Sequence, residues 1–180
     1  MKQNNRFLLR LCLTAVLAAV YTTISLALAP ITYGNIQIRI AEALTLLPIL
    51  FPEAILGVTL GCALTNLIGA MMGINILGFM DVFVGTAATL IAALLTYYLR
   101  KITFANQPIL SALMPVLLNG LIIGAELSFV LMPDAFFVGW MIFGLEVAMG
   151  EAIACFVFGL PLIHMLKKAD LVKRFGLKSE

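Results

Sequence analysis

The segment RIAEALTLLPILF (residues 39–51) carries an arginine and a glutamate near one end of an otherwise apolar run. As an α-helix it would extend only about 20 Å, against a bilayer hydrocarbon core of about 30 Å. The apolar runs on either side of it are long enough to cross a membrane. The predicted number of crossings, five or six, therefore depends on this segment.

The whole chain is unusually apolar. Its 180 residues are 63% hydrophobic and 11% charged, with a mean hydropathy of +1.12. Soluble domains carry about 25% charged residues, and disordered segments are more polar still. The sequence therefore predicts an integral membrane protein.

Apolar runs separated by proline, glycine and asparagine predict six helices in a single domain over residues 1–180. The predicted helices span residues 7–29, 39–51, 53–72, 76–99, 108–131 and 137–166. The first run resembles a signal peptide, but it exceeds the usual ~7–15 apolar residues and Pro30 follows its cleavage-like tripeptide. We interpret it as a retained first helix.

Basic residues decide between five and six crossings. Arg100 and Lys101 lie together in mid-chain, and a second basic group occupies residues 167–178. Six crossings with the N-terminus inside put both groups in the cytoplasm, as the positive-inside rule requires, whereas five would put both outside. We therefore predict an all-α, compact six-helix membrane bundle with cytoplasmic N- and C-termini.

Polar side chains inside the predicted helices require a structural or functional explanation, because a charged side chain at membrane depth costs roughly 2.5–3.5 kcal/mol of insertion free energy. At ~1.5 Å per residue, most of them fall in the outer half of the membrane, which predicts a pocket that opens outward. These residues are Arg39, Glu42, Asn66, Asp81, Asn119, Glu126 and Glu146. Asn119 and Glu126 are spaced to share one helix face. Glu151 lies deeper, and its role stays open.

The predicted pocket is acidic. Its carboxylates are those of Glu42, Asp81, Glu126 and Glu146. Its one guanidinium, from Arg39, is spaced to pair with Glu42 on the same helix face. The surplus of carboxylates favours a cationic ligand, or one with several N–H donors. Alternatively, these groups are structural, as hydrogen-bonding contacts between helices or as protonated acids bonded to the backbone.

Two further groups of residues have both a structural and a functional interpretation. Trp140 is most simply part of an interfacial aromatic belt, and Phe143, one turn from Glu146, can form an aromatic wall beside that carboxylate. Ala15 and Ala19 form a small-residue face that serves either packing within the bundle or docking of another membrane subunit. Of the small-residue faces in the chain, this one is the best candidate for docking, because the first helix contributes no polar residue to the predicted pocket.

The sequence lacks the motifs of an enzyme. No glycine is followed by lysine, so the chain has no Walker A motif. The single histidine, His164, has no nucleophile partner, and the three cysteines lack metal-ligand spacing. We expect no enzymatic activity, cofactor or metal, and the small basic islands do not predict a nucleic-acid partner.

Three segments carry a resemblance to a known family. The segments NIQIRIAEALTLLP (residues 35–48), GVTLGCALTN (57–66) and DVFVGTAATL (81–90) resemble the queuosine-precursor transporter (QueT) family. The likeness extends over nearly the whole chain, and it adds Gln37 to the predicted pocket residues.

The resemblance implies the substrate-binding S component of an energy-coupling factor (ECF) transporter in a bacterial-type plasma membrane. Such a subunit captures a micronutrient from outside and docks, through helix-one alanines such as Ala15 and Ala19, on one transmembrane T subunit with two cytoplasmic ATPases. The implied ligand is 7-aminomethyl-7-deazaguanine or a close relative.

Glu126 and Glu146 are the carboxylates we expect to bind this ligand, one at its guanine edge and one at its aminomethyl cation. Trp140 or Phe143 would stack on the ring, and Arg39 would orient Glu42. The alternatives are an S component for another vitamin, a stand-alone facilitator or secondary carrier, and an intramembrane enzyme.

Overall fold

The computed structural model describes residues 2–32 and 38–169, with side chains from Phe7 onward. Its α-helices are α1 (Lys2–Ala27), α2 (Ala29–Thr32), α3 (Glu53–Met71), α4 (Met80–Tyr98), α5 (Ile109–Leu131), α6 (Phe136–Ala152) and α7 (Leu160–Lys168). A 3-10 helix covers Ile40–Ile49, a 3-10 turn covers Pro133–Ala135, and a π-helix at Ile153–Gly159 joins α6 to α7.

Five helical stretches are long and apolar enough to cross a membrane. They are Phe7–Ala27, Glu53–Met71, Met80–Tyr98, Ile109–Leu131 and the continuous stretch Pro133–Lys168. The prediction of an all-α membrane protein is confirmed. The predicted ranges agree closely for α3 and α5, whereas α4 begins at Met80 rather than at residue 76 because a turn precedes it.

The segment at residues 39–51 is helical but more tightly wound than predicted. Its 3-10 helix contains Pro48, and every residue from Ala41 to Ile49 is buried. Proline has no N–H and clashes with the carbonyl four residues earlier in an α-helix. At about 2.0 Å per residue, the 3-10 helix extends about 20 Å.

The five long helical stretches pack in chain order. Helix α1 packs on α3, α3 on α4, α4 on α5, and α5 on α6, while the 3-10 helix lies among α1, α3, α4, α5, α7 and the π-helix. Gly159 allows the π-helix to approach the 3-10 helix, because a Cβ there would lie 2.7 Å from Leu46 Cδ1 and 3.2 Å from the Ala43 carbonyl oxygen. The 3-10 helix is thus shielded by its neighbours.

Small residues on α3 serve packing within the bundle. A Cβ at Gly57 would lie 2.8 Å from Leu17 Cβ, and one at Gly61 would lie 2.6 Å from Tyr21 Cβ. Ala15 and Ala19 have the same spacing, but their side chains are exposed on the side of α1 that the bundle leaves uncovered.

Candidate functional site

A buried ion pair joins the start of the 3-10 helix to the start of α4. Arg39 Nη2 lies 2.8 Å from Asp81 Oδ2, and Asn75 Nδ2 donates to the same oxygen at 2.9 Å. Asn66 Nδ2 donates to the backbone oxygen of Asp81 at 2.9 Å. The expected pairing of Arg39 with Glu42 is therefore wrong, because the guanidinium forms its ion pair with a carboxylate on another helix.

The turn between α3 and α4 and a glycine on α4 make room for this ion pair. Gly73 and Gly78 have φ values of +70° and +60°, which favour glycine in the turn that holds Asn75. One helical turn after Asp81, a Cβ at Gly85 would collide with the Asp81 carboxylate and the Asn66 amide. The glycines thus permit a buried contact that larger residues would obstruct.

Glu42 lies completely buried beside the ion pair and is held by α1 and α4. The Tyr21 hydroxyl donates to Glu42 Oε1, and the Thr89 hydroxyl reaches the same oxygen at 3.5 Å. The other oxygen, Oε2, has no hydrogen-bond partner among the described residues. Because Tyr21 belongs to α1, the expectation that the first helix contributes no polar residue to this region is wrong.

A second group of polar side chains lies between α5 and α6. Asn119 Nδ2 donates to Glu151 Oε1 at 2.9 Å. Arg39 joins them in lining a cavity of about 10 Å³, whose remaining walls are Ile123 and Val147. A cavity of this size is close to the minimum for one water molecule. The cavity is therefore polar but nearly closed.

Glu126 is the carboxylate of the site with the fewest polar contacts to its neighbours. It is buried, with 4% of its surface exposed, and neither carboxylate oxygen has a hydrogen-bond partner within the part of the chain that the structure describes. It shares the buried face of α5 with Asn119, as their spacing predicts, and lies close enough to Asp81 and Arg39 for electrostatic interaction.

These buried polar side chains lie around Arg39, and together they are called the polar network, which has an excess of acceptors. Among the residues described, its acceptor oxygens without a donor are Glu42 Oε2, Asn66 Oδ1, Asp81 Oδ1, both oxygens of Glu126, and Glu151 Oε2. Burial of such oxygens is costly when no donor compensates for lost water. The arrangement is therefore suited to a ligand that carries N–H donors or positive charge.

The remaining predicted pocket residues have different surroundings. Glu146 is half-buried, and its side chain forms no hydrogen bond or ion pair with another described residue. Phe143 packs against the apolar cluster that contains Ile123 and Val147, whereas Trp140 donates from Nε1 to the Leu121 carbonyl at 2.9 Å. Trp140 also lines a separate apolar groove of about 410 Å³ between α5 and α6. Gln37 lies outside the described residues.

No cluster of three or more histidine, cysteine, aspartate or glutamate side chains suitable for a metal ion occurs in residues 2–32 and 38–169. Among these described residues, the polar network contains carboxylates, amides, hydroxyls and the guanidinium of Arg39.

Sequence reasoning left Glu151, Tyr21 and Asn75 out of the predicted pocket. A signal existed for Glu151, since its distance from the outer end of its helix, at ~1.5 Å per residue, is close to that of Asn119. Tyr21 offers only a hydroxyl within an apolar run, and Asn75 lies between the predicted helices at residues 53–72 and 76–99. Their contacts depend on how α1 and the turn fold back onto the 3-10 helix and α4.

Comparison with known protein families finds a match over most of the chain. The family model described as QueT transporter matches residues 11–168. No curated protein shows significant similarity to the chain. No solved structure does so either.

Proposed function

The chain belongs to the QueT transporter family, and from that membership we propose that it is the substrate-binding S component of an ECF-type importer. Its substrate would be a queuosine precursor, 7-aminomethyl-7-deazaguanine or a close relative. It would bind this molecule from outside and deliver it to the cytoplasm with the energy of ATP hydrolysed by partner subunits.

The observation that carries this proposal is the excess of buried acceptors. Four buried carboxylates, those of Glu42, Asp81, Glu126 and Glu151, accompany the single guanidinium of Arg39. A cationic ligand with several N–H groups would supply both the missing charge and the missing donors. A 7-deazaguanine with an aminomethyl arm combines an ammonium group with ring and exocyclic N–H donors.

Binding would require the site to widen. The cavity holds about 10 Å³, whereas small-molecule pockets commonly hold about 300–1,000 Å³. Unpaired carboxylates favour hydration and local opening, since water can supply the donors that the protein does not. We propose that the ligand replaces such water and that the side chains of the network close around it.

The exposed alanine face of α1 supports the proposed docking. Ala15 and Ala19 lie on the outer side of the helix whose opposite face packs on α3. Small side chains allow another membrane helix to approach closely. The proposed partners are the T subunit of the energy-coupling module and, through it, two cytoplasmic ATPases.

The proposed topology has six crossings in a bacterial-type plasma membrane. Because protein surrounds the 3-10 helix, its short length need not expose polar backbone to lipid. As the second crossing it would put Arg100, Lys101, Lys167 and Lys168 on the cytoplasmic side, together with both termini.

Ligand-induced thermal stabilisation tests the proposed substrate. We expect purified protein in detergent to melt at a higher temperature with 7-aminomethyl-7-deazaguanine, since a ligand that binds only the folded state stabilises it. Mass analysis of co-purifying molecules should find the same compound. Stabilisation by a vitamin and not by deazaguanines would identify an S component of another specificity.

Vesicle transport separates the S component from a stand-alone carrier. We expect vesicles that contain this chain alone to bind ligand without sustained uptake, and the addition of the T subunit and ATPases to allow ATP-dependent uptake. Sustained uptake by the chain alone would support a facilitator or secondary carrier.

Ala15→Trp tests the docking face. We expect unchanged ligand affinity and loss of ATP-dependent uptake, because a large side chain would keep the T subunit away. Ile91→Trp, on an exposed position of α4, is the matched control and should retain uptake. If Ala15→Trp also retains uptake, the alanine face is not the docking surface.

A further inference from the structure

The cavity between α5 and α6 contains a donor and an acceptor side by side. Glu151 Oε1 accepts from Asn119 Nδ2 at 2.9 Å, while Glu151 Oε2 is buried without a partner among the described residues. Glu151 is 3% exposed and lines the cavity together with Asn119. The pair therefore has a free acceptor beside an amide donor that can exchange partners.

We propose that Glu151 and Asn119 bind the polar edge of a planar heterocycle, an edge that carries adjacent N–H donors next to a carbonyl. This assignment deepens the proposed function and rests on it. The Glu151 carboxylate accepts two neighbouring N–H groups, from the ring and its exocyclic amine. The Asn119 amide, released from Glu151 Oε1, donates to the carbonyl oxygen.

The other buried carboxylates suit this task less well. Glu42 Oε1 is occupied by Tyr21, and Asp81 Oδ2 receives both Arg39 and Asn75. A pair of ligand donors would have to displace these partners, including a guanidinium at Asp81, whereas at Glu151 it would displace only the Asn119 amide, which can then donate to the carbonyl of the same ligand edge.

Glu126 fits a different part of the same ligand. Both of its oxygens are without a donor, and no amide of the described residues bonds to it. It suits a group that only donates, such as an ammonium. Asn119 and Glu126 lie about 10 Å apart along the α5 axis, which is comparable with the length of a bicyclic ring bearing a one-carbon amine arm.

Apolar side chains flank the cavity where the ring faces would lie. Ile123 follows Asn119 by one turn of α5, and Val147 precedes Glu151 by one turn of α6. Phe143 packs against the cluster that contains them. The ring would thus lie between apolar walls with its polar edge toward Glu151 and its arm toward Glu126.

Two substitutions and two ligands test the assignment. Titration calorimetry would compare 7-aminomethyl-7-deazaguanine with 7-cyano-7-deazaguanine, which has the same edge but a neutral arm. Glu151→Gln should weaken both ligands by about 10- to 100-fold, the range for hydrogen bonds to a charged group. Glu126→Gln should weaken only the aminomethyl ligand. Glu53→Gln, at an acidic residue paired with Arg10 outside the network, should change neither.

A ligand-side measurement keeps the test valid if Glu151→Gln fails to fold. A deazaguanine that lacks the exocyclic amine should bind wild-type protein at least about tenfold more weakly than the parent ligand. Equal affinity for both would overturn the assignment, as would a Glu151→Gln variant of unchanged affinity, or a larger loss from Glu146→Gln than from Glu151→Gln. If the wild-type protein binds no deazaguanine at all, the proposed function itself fails.

Discussion

Two parts of the buried polar network, which we call the paired half and the open half, differ in how well their charges are paired, and Glu42 with Tyr21 and Thr89 lies outside both. In the paired half (Arg39, Asn66, Asn75 and Asp81), Asp81 Oδ2 accepts from both a guanidinium and an amide, and only Asp81 Oδ1 of its two carboxylate oxygens has no donor among the described residues. In the open half (Asn119, Glu126 and Glu151), three of four carboxylate oxygens have no donor among the described residues. The paired half resembles a structural contact between elements, whereas the open half has the unmet acceptors of a binding site. The two should therefore respond differently to the same conservative substitutions.

The largest expected loss follows from Asp81→Asn. Removal of one partner of a buried ion pair leaves the other charge poorly compensated, which costs about 3 kcal/mol or more. We expect a large fall in the free energy of unfolding, measured by detergent-induced unfolding. A variant as stable as wild type would show that Arg39 does not depend on Asp81, and the distinction between the halves would not hold.

Gly85→Ala should destabilise the paired half through a steric clash rather than through a change of charge. The added Cβ would collide with Asp81 and Asn66, and an overpacked interior typically loses about 1–3 kcal/mol. The loss should shrink in an Asp81→Ala background, because the truncated side chain no longer reaches the added Cβ. Full additivity of the two losses in the same unfolding assay would contradict this mechanism.

Tyr21→Phe removes the hydroxyl that links α1 to Glu42. The expected cost is about 1–2 kcal/mol, since the carboxylate oxygen would lose its principal donor while it stays buried. Tyr98→Phe, at an exposed ring on α4, is the control and should change the unfolding free energy by less than about 0.5 kcal/mol. Equal effects would mean that the hydroxyl contributes little to stability.

The smallest effect on stability should come from Glu126→Gln, in the open half. The carboxylate has no hydrogen-bond partner to lose among the described residues, so the change should be neutral or should stabilise the protein by up to about 1 kcal/mol. Thermal melting without ligand would measure this effect. A loss comparable to that of Asp81→Asn would show that Glu126 belongs to the structural contacts instead.

Local sequence patterns predicted most of the helices well. Helix α5 agrees to within one residue at each end, since Pro108 precedes it and Pro133 follows it closely. The winding of the segment at residues 39–51 was not predictable in the same way. Its 3-10 geometry depends on Pro48 and on the helices that bury it.

The sequence predicts which residues belong to the candidate site better than it predicts which of them contact each other. Asn66, Asp81, Asn119 and Glu126 were recognised as polar residues at membrane depth, and all four are buried. The partner of Arg39 was not recognised, because helical spacing indicates only neighbours on the same element. Contacts such as Arg39–Asp81 and Tyr21–Glu42 depend on tertiary packing, which the sequence pattern does not specify.

The π-helix at Ile153–Gly159 places two contacts on nearly the same side of the helix, whereas a regular α-helix would point them in different directions. Glu151 meets Asn119 before it, and Gly159 meets the 3-10 helix at its end. At about 100° per residue, an unbroken α-helix would set these two residues about 80° apart around its axis. One extra residue in the π turn brings them to within about 20°. A one-residue deletion inside this segment should therefore be tolerated better than one elsewhere in the helical stretch Pro133–Lys168. Such a deletion would restore regular α-helical winding and keep both contacts on the same side of the helix.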